Sequence, residues 1–303
     1  MIRFPAATAA ALMMWLAQPA AAFDGIRVTL LATGTGRASS EGFGPSTLVE
    51  AGPEVLLFDC GAGARDRLRQ AGMPLRDLTA LFLTSLDPAH VAGCAELVRE
   101  RTRMDLDEPL LLWGPRGTVE IVEQWNGSSV GRQPPPVLAR EIAENVLYQT
   151  DEVTVTAIIA DYPPQPQAYG YRVDRARRAV ALVGATRYSE DVAHGTRGVQ
   201  VLVHEVAAAD PEHDANDPVA RAVTATHASP EDAAKVFRAA RPYLAVYSHM
   251  QLFGVSEEEV FRRTRRYYRG ALEIGRDLMI LEVQNEVQVR AAPSDGGRGD
   301  RAQ

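Results

Sequence analysis

From Ile26 onward one pattern recurs: a short apolar run, a turn marked by glycine, then either a second run or a segment with helical spacing. Ile26–Leu31 is followed by Ala32-Thr33-Gly34-Thr35-Gly36, and Ser46–Ala51 and Glu54–Phe58 are joined by Gly52-Pro53, a tight-hairpin signal. Runs this short are strands, and the segments between them are helices: 64–71 after Asp59-Cys60-Gly61-Ala62-Gly63, and His90–Arg101 after the run Leu78–Thr84. Leu110–Trp113 adds a strand, and a helix runs from Gly117 to Trp125.

The second half repeats the theme with different details. Residues 127–136 carry Gly, Ser and three consecutive prolines and read as an exposed loop. Val146–Ala160 alternates as a strand, Ala168–Val173 and Ala179–Val183 form a hairpin, and Gln200–Val206 is another buried strand. A helix over Pro230–Ala240, a strand over Leu244–Ser248, a helix over Ser256–Arg269 and a strand over Leu278–Val283 follow. Two strand-rich halves, each closed by helices, predict an α/β fold of two sheets packed face to face with helices outside.

The N-terminus stands apart. Met1-Ile2-Arg3, an apolar stretch through Leu16 and the ending Ala20-Ala21-Ala22 have the form of a secretory signal peptide over residues 1–22, too short for a bilayer span. The expected layout is that signal, one domain over 23–288 and a disordered polar tail over 289–303, in a periplasmic or secreted protein with no membrane attachment after cleavage. A net charge of −7 argues against nucleic acid as a partner, because phosphate neutralisation needs surplus Lys and Arg. Cys60 and Cys94 are the two cysteines; the reading favours buried thiols, with a disulfide open to them in an oxidising compartment.

The ordered set of Ala32-Thr33-Gly34-Thr35-Gly36, Leu57-Phe58-Asp59-Cys60-Gly61, Leu81-Phe82-Leu83-Thr84, Trp113-Gly114-Pro115-Arg116-Gly117, Tyr169-Gly170-Tyr171-Arg172, Gly184-Ala185-Thr186-Arg187, Val203-His204-Glu205, Thr226-His227-Ala228-Ser229 and Tyr247-Ser248-His249 resembles the metallo-β-lactamase superfamily, in its ribonuclease Z and arylsulfatase-type branch. That resemblance implies an αββα sandwich with a two-zinc site at one edge between the sheets. It also implies a loop pattern His-x-His-x-Asp-His, a later His, a bridging Asp in Gly-Asp-Thr and a final His.

Placed on that pattern, Ser85 stands at the first His, Asp87 at the second and Ala89 at the Asp, while His90 keeps its type. Tyr162 stands at the later His, Ala185 at the bridging Asp, and His249 matches the final His. Alanine offers no donor, and neutral Ser and Tyr oxygens are poor zinc ligands beside imidazole. The first ion would keep only Asp87, and the second only His90 and His249.

Three uses of such a cleft are open. One is a metal-free, non-catalytic binding protein whose pocket, with Ser85 and Tyr162 in its wall, takes a small molecule or a protein loop. A second is a hydrolase of phosphodiester, sulfate or ester bonds that holds one zinc or other divalent ion on Asp87, His90 and His249. A third is acid–base chemistry by Glu205 and His227, which the resemblance places in proton transfer, against the plainer reading that Glu205 only orients His227.

Overall fold

The structure, a computed structural model, describes residues 23–34, 42–104, 106–129, 136–163 and 167–291; the expected signal segment and residues 292–303 lie outside them. Strands β1 (Ile26–Ala32), β2 (Ser46–Ala51) and β3 (Glu54–Phe58) follow the predicted runs and pair antiparallel in chain order. Helix α1 (Ala64–Gln70), β4 (Ala80–Phe82), the short helix α2 (Pro88–Val91), α3 (Cys94–Arg103), β5 (Leu110–Gly114), α4 (Thr118–Trp125) and β6 (Val137–Glu141) come next. From β3 to β6 the pairing is parallel, with a helical crossover between each successive pair.

The second sheet takes β7 (Val146–Gln149), β8 (Val153–Ala160), β9 (Ala168–Arg175) and β10 (Arg178–Val183) as an antiparallel meander. After α5 (Glu190–Gly195) come β11 (Val201–Ala209), α6 (Pro211–Asn216), α7 (Pro218–Thr224), α8 (Pro230–Ala240), β12 (Leu244–Phe253), α9 (Glu257–Thr264) and β13 (Leu272–Ile274). Strands β14 (Met279–Val283) and β15 (Val287–Arg290) return to the first sheet, whose order is β15-β14-β1-β2-β3-β4-β5-β6; the second runs β13-β12-β11-β10-β9-β8-β7.

Side chains alternate across each sheet, so one set meets the facing sheet and the other meets helices. Phe58, Phe82 and Trp113 stack on neighbouring strands at ring separations of 5.0 and 5.3 Å, and Tyr171 of the other sheet closes on them. Leu68, Leu97, Val98 and Val122 of α1, α3 and α4 cover the outer face of the first sheet, and Val236 and Phe237 of α8 cover the second. This is the predicted αββα sandwich.

Helix α8 begins and ends where the sequence places it. Ser229 caps it by accepting from the Asp232 amide at 3.1 Å, and Pro230 fills the first helical position, where no amide is needed.

Several expectations are corrected. The helix drawn from His90 to Arg101 is two helices interrupted at Ala92 and Gly93, where the chain passes against the loop after β3. A Cβ at Gly93 would lie 2.3 Å from the Gly61 carbonyl oxygen, so only glycine fits. Cys60 and Cys94 form a disulfide, with Cα atoms 5.2 Å apart, in place of buried thiols. Backbone hydrogen bonds bring them together: the Cys60 amide donates to His90 O at 2.9 Å and the Gly93 amide to Cys60 O at 2.8 Å.

The run from Val146 to Ala160 is a hairpin broken near Asp151, and β6 forms just after the proline loop as an unforeseen strand. The last helix stops at Thr264, short of Arg269. Strand β15 pairs with β14 through Arg290, so ordered structure passes the expected boundary at 288.

Candidate functional site

The ends of β3, β4, β11 and β12 meet at one edge between the sheets, and the residues singled out from sequence gather there. Asp59 follows β3 and His90 lies in α2, behind the Thr84–Asp87 loop. Glu205 projects from β11 and His249 from β12.

His249 reaches the site by a local irregularity. In the parallel pairing of β11 with β12, Glu205 faces Ser248 and Val206 faces Met250, so His249 is an extra residue with a left-handed φ of 47°. A bulge of this kind re-aims a side chain that regular pleating would send elsewhere. Asp59 also has a left-handed φ, 57°. Among the described residues five non-glycines do so, and two of them are at this edge, where such strain collects when structure around it enforces a geometry.

Each imidazole is tied through one nitrogen. The Asp59 carboxylate accepts from the Thr84 amide and hydroxyl, each at 2.8 Å, and from His90 Nδ1 at 2.8 Å. His249 Nδ1 donates to Gly34 O at 2.8 Å. Nε2 is then the remaining donor atom of each ring. His90 Nε2 stands 3.7 Å from Glu205 Oε1, and the rings of His90 and His249 meet edge to face at 5.3 Å. Donor atoms of His90, Glu205 and His249 all lie within 4.8 Å of one another. The three residues are buried, and Glu205 Oε2 has no hydrogen-bond partner.

Charges here are set by burial and by neighbours. Burial alone would pull the His90 pKa down, but Asp59 and Glu205 outweigh it and raise it above the usual histidine value. Burial raises the Glu205 carboxyl, against the pull of His90 in the other direction. Burial, with the His90 charge added, lowers His249 to about 3.

The other predicted residues fall in two groups. Tyr162 donates its hydroxyl to the Asp87 carboxylate, and its ring packs edge to face on His227 at 5.4 Å. Ser85 is buried, its Oγ accepting from the Asp87 amide at 3.3 Å. The predicted trio of Asp87, His90 and His249 is therefore replaced: Asp87 is turned to Tyr162, and Glu205 takes the third place. Asp161, the neighbour that a strand slip would have brought in, instead forms a two-pronged ion pair with Arg187.

His227 donates from Nδ1 to Val223 O at 3.0 Å and accepts from Gln251 Nε2 at 3.2 Å, and burial lowers it to about 4. Its Nε2 lies 3.9 Å from Glu205 Oε2, beyond hydrogen-bond range, so the expected His227–Glu205 pair is a neighbourhood and not a bond. Val223 and Gln251, which sequence reasoning passed over, orient His227. Asp59 stands in the motif Leu57-Phe58-Asp59-Cys60-Gly61, where an acid at a strand end before a glycine turn is the one signal of its role.

A centre of two zinc ions does not fit this donor set. Ala89 and Ala185 carry no donor, and of the three residues at the first-ion histidine positions Ser85 serves its own loop while Tyr162 and Asp87 bond each other.

Comparison with known proteins agrees with the architecture. The model of the beta-lactamase superfamily domain matches residues 54–250. A ribonuclease Z of Mycobacterium sp. (strain KMS) is 33% identical over 283 residues, spanning 88% of this chain and 99% of that protein. Among solved structures, the metallo-beta-lactamase fold protein YhfI from Bacillus subtilis superposes with a TM-score of 0.70 at 17% identity, over 86% of this chain and 100% of that one. The short form of human tRNase Z does so at 0.67 and 18%, over 85% and 99%. The chain belongs to the metallo-β-lactamase superfamily, a family of metal-dependent hydrolases, in its ribonuclease Z branch.

Proposed function

We propose that this chain is an exported, non-hydrolytic member of its family that works by binding a small molecule or a protein loop at the sheet edge. The observation that carries the reading is the donor set: of the seven positions where the family pattern puts zinc ligands, only His90 and His249 keep theirs. Zinc hydrolysis needs an ion with an open position and a base for the attacking water. Glu205 is drawn between the imidazoles, Asp87 accepts from Tyr162, and both ring nitrogens of His227 are engaged.

Export is supported by the form of residues 1–22 and by the Cys60–Cys94 disulfide, which persists in oxidising compartments. The acidic balance favours a ligand other than nucleic acid. A one-ion hydrolase is the second reading, favoured by the convergence of His90, Glu205 and His249, but Glu205 as a ligand is no longer free as a base.

The test is to assay the purified chain, loaded with zinc or manganese, on an aryl phosphodiester, an aryl sulfate, a carboxylic ester and a precursor tRNA. No turnover above the metal blank is expected. Metal-dependent turnover lost in His249→Ala would overturn the reading.

A further inference from the structure

We infer that the sheet edge binds a single divalent transition-metal ion of the zinc class through His90 Nε2, the Glu205 carboxylate and His249 Nε2. The inference rests on the loss of the two-ion centre: with alanine at position 185, Glu205 is the acid whose carboxylate converges with donor atoms of both His90 and His249.

Three independent features point to a cation. The first is convergence. Tetrahedral ligands at ~2.1 Å from an ion are ~3.4 Å apart. The His90–Glu205 separation is already 3.7 Å, and no pair of the three donors exceeds 4.8 Å, so closure takes side-chain rotations of an ångström or so.

The second is how the rings are held. A metal-binding histidine ordinarily gives its other N–H to a carboxylate or a carbonyl, which fixes the tautomer and aims the free lone pair. His90 gives Nδ1 to Asp59, and His249 gives Nδ1 to Gly34 O. Asp59 is itself pinned by two bonds from Thr84, and His249 sits at a bulge of β12.

The third is an unmet need. Glu205 is 6% exposed and its Oε2 has no hydrogen-bond partner, a costly state that a bound cation relieves. Two imidazoles and one carboxylate suit zinc, iron(II) or cobalt(II), whereas calcium and magnesium prefer oxygen donors throughout. Asp87, which accepts from the Tyr162 hydroxyl, is outside the converging group and is not a ligand in this arrangement.

The experiment uses the folded full domain, stripped with chelator and dialysed against trace zinc or cobalt, with elemental analysis and the visible spectrum of the cobalt form. One equivalent is expected, and the cobalt bands should be those of a four- or five-coordinate site with histidine ligands. Glu205→Gln and His249→Gln should weaken binding by about 100-fold or more, and Asp59→Asn, which only positions His90, by ~10–100-fold. Asp87→Asn should change it little.

Zero equivalents, or one that is insensitive to Glu205→Gln, would overturn the inference and leave the non-hydrolytic reading standing. Two tight equivalents would overturn both. One equivalent that depends on Glu205 but comes with turnover would support the site and sink the non-hydrolytic reading. The cobalt spectrum of the unaltered protein decides the ligand type even if a variant fails to fold.

Discussion

The Cys60–Cys94 disulfide closes a loop of 34 residues that contains β4, the Thr84–Asp87 loop and His90. Constraining a denatured chain over that length removes closure entropy worth about 4 kcal/mol at 25 °C. Both cysteines are fully buried, so Cys60→Ala with Cys94→Ala also leaves a small void and adds about 1 kcal/mol. The double variant should therefore lose about 5 kcal/mol, a drop of about 10–20 °C in midpoint for a chain of this size. Urea unfolding of the oxidised protein, the protein reduced in denaturant and refolded under reductant, and the double variant separates the parts. The reduced protein should account for most of the loss. Its denaturant slope should rise, because an uncrosslinked denatured chain exposes more surface. A loss below about 1 kcal/mol on reduction would refute the reasoning, since the loop-closure argument gives about 4 for this length.

Two further outcomes follow from single contacts. In chelator, Glu205→Gln should leave stability unchanged or raise it by about 1 kcal/mol, because it removes a buried acid whose Oε2 lacks a partner; a loss above about 2 kcal/mol in thermal or urea unfolding would show that carboxylate to be satisfied. Glu231 of α8 accepts two bonds from Arg263 of α9, at 2.8 and 2.7 Å, and that guanidinium holds its carboxyl below the usual value. Stability from this pair is present above the ordinary glutamate pKa and is lost as pH falls through the lowered one. The pair is partly exposed, so the loss should be about 1 kcal/mol or less, and Glu231→Gln should abolish that part of the acid slope; an unchanged slope in the variant would refute the assignment.

Much of the frame was legible in sequence because it rests on local signals. Strand periodicity, the Gly52-Pro53 hairpin and the Ser229-Pro230 cap depend on neighbours in the chain, and each element appears where those residues place it. Elements with weak local signals were missed: β6 is a mostly exposed strand set by its pairing with β5 and by the burial of Val137, and α6 and α7 are short helices whose Asp-Pro starts passed for loop. The break at Gly93 was invisible for the opposite reason, since helical spacing continues through it, and the Gly93 amide leaves the helical ladder to donate to Cys60 O, a residue distant in sequence.

What the sequence by itself determined is composition at the site: alanines at Ala89 and Ala185, a tyrosine at Tyr162, and imidazoles at His90 and His249. Residue type decides which donors exist, and a missing donor cannot be supplied by folding. Only the tertiary structure decided which survivors meet. His249 is delivered by a bulge, Asp87 is claimed by Tyr162, and Glu205 comes from a strand more than a hundred residues beyond His90. Those pairings turn on ångström-scale distances between strand ends of two sheets, which the order of residues along one chain does not encode locally.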